Sequence, residues 1–83
     1  MKTVTIESRP IDKIKGEILS SIGKTITIEE HNKQGKLLHQ YIGEIISAHD
    51  NVFLVKVNLR GYSLNKSFTY VDFSIGELSY NIN

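Results

Sequence analysis

Gly43-Glu44-Ile45-Ile46-Ser47-Ala48-His49-Asp50-Asn51-Val52-Phe53-Leu54-Val55-Lys56-Val57 is the stretch on which the fold turns. Two apolar runs, residues 42–48 and 52–57, flank the polar trio His49-Asp50-Asn51. Short runs rich in Ile, Val and Phe and bounded by turn residues read as buried strands. Asp and Asn suit the turn because their side chains bond the nearby backbone. The reading is a tight β-hairpin at the centre of a sheet. Gly43, inside the first run, marks a bulge or sharp bend, and a strand that bends can serve two sheets.

Upstream, the strand extends back to Lys36, with Leu37, Tyr41 and Ile45 on one face and Leu38, Ile42 and Ile46 on the other. Gly35 closes the polar loop at residues 31–35 with a positive φ. Before it, Ile26 and Ile28 alternate with Thr25, Thr27 and Glu29, which predicts a first strand at residues 24–30 with one dry face. Ile11, Ile14, Ile18, Leu19 and Ile22 recur at helical spacing and predict a helix over residues 10–22. Asp12 is its expected N-cap, or Pro10 its first residue, and Gly23 takes the left-handed position after its end. Gly16, inside the helix, is expected to permit a close helix–sheet contact. Val4 and Ile6 make residues 1–9 an extension or an edge strand, able to pair with a second copy.

Downstream, residues 52–58 form the third strand, with Phe53, Val55 and Val57 inward. Residues 59–65 read as a turn-rich connection that exposes Tyr62 and Leu64, and residues 66–71 as a fourth strand. Asp72 opens a single 3₁₀ turn that tucks Phe73 and Ile75 under the sheet. Residues 77–82 form the last strand, with Leu78, Tyr80 and Ile82 on one face. The sum is a mainly β domain with one N-terminal helix, a five-stranded SH3-like (Sm-like) small barrel over residues 24–82. An OB-like barrel ranks second, because it usually places a helix between strands three and four.

The 83 residues make one domain, small enough to gain from self-association, so a homodimer or other homo-oligomer is among the expected states. The chain holds no cysteine, which excludes a disulfide framework or thiolate metal site and fits a reducing cytoplasm. No stretch reads as a membrane span or signal peptide. The formal net charge is only +1, with seven Lys/Arg against five Asp/Glu in residues 1–36 and three against four thereafter. Non-specific attraction to nucleic acid normally needs more.

Catalytic constellations are missing from the sequence. His31, His39 and His49 do not pair at i+3 or i+4, no G-x-S-x-G elbow is present, and Glu29-Glu30 point to opposite faces of a strand. Gly23-Lys24-Thr25 lacks the spaced glycine of a phosphate loop. No catalytic, cofactor or metal residue is therefore expected. The candidate contacts are Lys33 and Lys36 at the first hairpin, and Arg60, Tyr62, Leu64 and Lys66 around the later connection. Aromatics and bases on the loops of small barrels bind peptides or single strands.

Ile14-Lys15 with Ile22-Gly23-Lys24, then Gly43-Glu44-Ile45, residues 52–57, and Ser67-Phe68-Thr69-Tyr70-Val71-Asp72-Phe73 resemble the Veg family in order and spacing. The resemblance covers residues 12–82. It implies a compact barrel with an N-terminal helix in a small cytoplasmic protein of Gram-positive bacteria. It further implies no enzymatic activity and an association with gene regulation and biofilm formation. Two departures stand out. The first hairpin holds only His31, Lys33 and Lys36 where the family tends to carry a denser basic cluster, and Phe68 replaces the first tyrosine of the family's signature. A looser likeness to Sm-like proteins lies in Gly43-Glu44-Ile45 and Asp50-Asn51, without the second Sm signature. The expected function is regulation through protein–protein contacts, and the alternative is a barrel that binds DNA or RNA.

Overall fold

The computed structural model describes residues 10–83. The expectation for residues 1–9 lies outside them. The elements in chain order are α1 (Ile11–Leu19), β1 (Thr25–His31), β2 (Leu37–Ala48), β3 (Val52–Leu59), β4 (Tyr62–Thr69), α2 (Tyr70–Ser74) and β5 (Leu78–Ile82). All five strands are antiparallel to their neighbours in one sheet of order β4-β3-β2-β1-β5. A two-residue link joins β3 to β4, and the last strand returns to the first. The fold is small, mainly β and barrel-like, with the meander topology rather than the OB-like alternative.

Gly43 is where the sheet changes direction. The first half of β2 pairs with β1, from His31↔Leu37 to Thr25↔Glu44. The second half pairs with β3, from Gly43↔Val57 to Ala48↔Phe53. The two ladders overlap only around Gly43 and Glu44. At this corner β3 presses so close that a Cβ on Gly43 would overlap the Lys56 carbonyl oxygen and stand 2.9 Å from Val55 Cγ1. The glycine is required by that approach, since its φ is not positive. A bulge between Ile45 and Ser47 then shifts the register and leaves Ile46 exposed.

The core is one cluster on the inner face. Ile26 and Ile28 of β1, Ile45 of β2, Phe53, Val55 and Val57 of β3 and Phe68 of β4 meet Ile14 and Ile18 of α1 and Tyr70 and Phe73 of α2. Phe53 sits at its centre, with ring centroids 5.8, 5.5 and 5.6 Å from Phe68, Tyr70 and Phe73.

Several local expectations are corrected. The helix ends at Leu19, and residues 20–22 form a turn before Gly23, whose φ is +92°. Its N-cap is Pro10, and Asp12 lies in the first turn. Only Ile14 and Ile18 are buried, because the short helix turns one narrow stripe to the sheet. Gly16 faces solvent, and a Cβ added to it would meet nothing within 4 Å, so it makes no close helix–sheet contact. Residues 70–74 form a helical turn and not the end of a strand; its N-cap position is Thr69, without a side-chain cap bond, so Asp72 is not the cap. Most of the expected connection at residues 59–65 is strand, leaving Arg60 and Gly61 as the loop, with Gly61 at φ +83°.

Candidate functional site

Eight consecutive pairs join β3 to β4 without a register shift, from Val52↔Thr69 to Leu59↔Tyr62. Alternation along a strand puts Phe53, Val55, Val57 and Leu59 on one face with Phe68, Lys66, Leu64 and Tyr62. The opposite face carries Asn58 and Ser63, then Lys56 and Asn65, near the tip. The first row begins deep in the core at Phe53 and Phe68. It ends exposed, with Leu59 40%, Leu64 41% and Tyr62 64% accessible. The cause is the Gly43 corner. β2 stops covering β3 at Val57, but the hairpin and its apolar row continue. The inner face outruns the core, and a two-stranded arm presents it to solvent.

The candidate residues fall into separate places on this frame. Tyr62 and Leu64 lie in the exposed row on β4, with Arg60 at the tip. Lys66 is half-buried in the same row, its ammonium 5.3 Å from the Tyr41 ring centroid and 5.8 Å from that of Phe68. Such cation–π contacts are worth about 0.5–1 kcal/mol at exposed sites, and they direct this charge to the chain's own rings. These three residues line a groove of about 260 Å³ with Glu30, Asp72 and Glu77, between the start of β5 and the end of β4. Lys33 lines a different groove, with Glu30, His31, Ile75 and Glu77. Lys36 is exposed in the same hairpin loop, which Asn32 Oδ1 closes by accepting from the Gln34 and Lys36 amides. The six candidates thus form no single basic patch.

Sequence reasoning missed the role of Tyr70. Its ring stacks on Phe53, its hydroxyl donates to the His49 carbonyl at 3.0 Å, and its amide donates to the Asn51 carbonyl at 3.2 Å. One residue therefore fastens both sides of the Asp50-Asn51 turn. The signal was the Tyr in the Ser67–Asp72 motif. Burial holds the phenol above the usual tyrosine value of 10.0, and the Asp50 carboxylate acts in the same direction. A group raised on folding stabilises below its unfolded pKa, and the contribution is lost as pH climbs through the folded pKa. Tyr70→Phe is expected to cost about 1–2 kcal/mol at neutral pH, since the His49 carbonyl loses its donor. It also removes this residue's share of the stability lost above pH 10. Urea titrations at neutral and alkaline pH check both.

Ser47 Oγ lies 3.0 Å from His49 Nε2 at the surface, and no described hydrogen bond or ion pair joins His49 to a carboxylate. Among the described residues no three His, Asp or Glu side chains are grouped to hold a metal. None of the described helices is long and apolar enough to cross a membrane.

No curated protein matches the chain. The family model described as "Biofilm formation stimulator VEG" matches residues 9–75, from the start of the helix through α2. That span takes in the Gly43 corner, the β3–β4 arm and the Tyr70 motif, and on it the chain belongs to the Veg family.

Proposed function

We propose that this chain is a non-enzymatic cytoplasmic regulator that acts by protein–protein contact through the Leu59, Tyr62 and Leu64 face of the β3–β4 arm. The observation that carries the reading is that this row is exposed together and backed by polar Asn58, Ser63 and Asn65. Tyrosine on an apolar patch is typical of the centres of protein interfaces. The family's description supplies the process, stimulation of biofilm formation. Nucleic-acid binding has less support: Lys33 stands beside Glu30 and Glu77 in its groove, Lys66 covers its own rings, and the formal net charge is +1.

Replacing Tyr62 and Leu64 together by Ser tests the reading in the producing cell. Both residues are exposed, so the fold is expected to lose no more than about 1 kcal/mol. Surface-attached biomass should fall toward that of a strain lacking the gene, at unchanged protein level. Biomass equal to the parent's would overturn the proposal.

A further inference from the structure

The sheet ends on one side at β4, which pairs only with β3 among the described residues. Natural edge strands are usually blunted by brevity, bulges, proline or charge. β4 has none of these defences. Its eight residues pair with β3 without a shift, whereas the β1–β2 and β2–β3 ladders each carry one. It contains no proline, and its single charge, Lys66, is folded over Tyr41 and Phe68. The other edge, β5, is only five residues long. Among the described residues, a regular row of backbone donors and acceptors is thus left without a strand partner on the β4 side.

The strand also fits itself. Antiparallel pairing about a two-fold axis at Leu64 sets Leu64 against the partner's Leu64, Tyr62 against the partner's Lys66, and Ser63 against the partner's Asn65. Apolar meets apolar at the axis, and each Lys66 falls opposite an aromatic residue rather than another cation. An axis at Lys66 would instead set two ammonium groups face to face, which sheets disfavour. The pairing also turns two exposed two-stranded tips, each marginal alone, into a four-stranded one. The geometry points to a two-fold dimer of this chain, joined edge to edge through β4 with its axis at Leu64. This does not depend on the regulatory reading, although it would place two Leu59-Tyr62-Leu64 rows on one face of a continuous sheet.

Sedimentation equilibrium on the full chain, from micromolar to millimolar concentration, is expected to give twice the single-chain mass of 9.4 kDa. Two double variants then read the register, both at exposed positions on the polar face, away from Tyr62 and Leu64. Ser63→Glu with Asn65→Glu sets carboxylate against carboxylate at two places across the axis and should raise the dimer Kd about tenfold. Ser63→Lys with Asn65→Glu sets unlike charges in the same places and should leave the Kd unchanged or lower it. In both, the Asn65→Glu side chain faces Lys56 of its own chain, so circular dichroism melts should match the parent's. A single-chain mass at every concentration overturns the proposal, as does a mass above two chains, the sign of head-to-tail pairing of β4 with β5. A dimer that responds equally to both double variants overturns it as well.

Discussion

Gly43→Ala is expected to destabilise the domain by about 3 kcal/mol or more, although it adds one methyl group. Replacing a strand glycine normally helps, by about 0.4–1 kcal/mol, because the unfolded chain loses freedom. Here the added carbon would overlap the Lys56 carbonyl oxygen and crowd Val55. Backbone cannot swing aside as a long side chain can, so β3 must retreat from the corner, and Val55 and Val57 with it. Overpacking wins over the entropy gain. Gly16→Ala is the internal contrast. It is helical and open to solvent, so the same methyl should be neutral or stabilising by up to about 1 kcal/mol. Urea unfolding of the two variants beside the parent decides the matter; equal stabilities would remove Gly43 as the corner residue.

Phe53→Ala is expected to cost about 3–5 kcal/mol, the range for truncating a buried phenylalanine. Phe53 is fully buried, and its ring touches those of Phe68, Tyr70 and Phe73. Its neighbours come from β4 and from α2, so no single movement can close the space it leaves. Domains of this size hold a total stability of only about 5–15 kcal/mol. The loss is a large share of that total, so the variant's thermal midpoint should fall by more than about 12 °C in a circular dichroism melt. Phe53→Leu keeps most of the volume and should remain folded with a lowered midpoint.

The corner and the central hairpin were legible in the sequence because each rests on a local conflict. A glycine interrupts an apolar run that would otherwise favour a straight strand, and a polar trio between two such runs forces the chain to turn back. The family was legible from the same kind of residue. The arm was not. Ser63 and Asn65 look like turn residues, and beside Gly61 they suggest a loop. They are the wet face of a strand whose dry face is Tyr62 and Leu64. Arg60-Gly61 alone could have signalled a two-residue hairpin link. The exposure of that dry face was out of reach, because it depends on where β2 leaves β3, a tertiary fact. Gly16 failed for a related reason: periodicity gave five apolar positions on the helix, but only packing shows that two of them face the sheet. Tyr70 needed the fold too, since its carbonyl partners lie across a different hairpin.

The return of β5 to β1 has a consequence for how the protein is made. Ile26 pairs with Ile82, about two thirds of the chain's length apart. During synthesis from the N-terminus, β1 and the β2–β3 hairpin emerge first and can begin to pair. Among the described residues, the other side of β1 has no partner until β5 has been synthesised. Contacts so distant along the chain slow folding, because the loop must close before they contribute. The nascent protein therefore carries one open edge of β1 until β5 has emerged, and truncation before Leu78 would leave that edge open permanently.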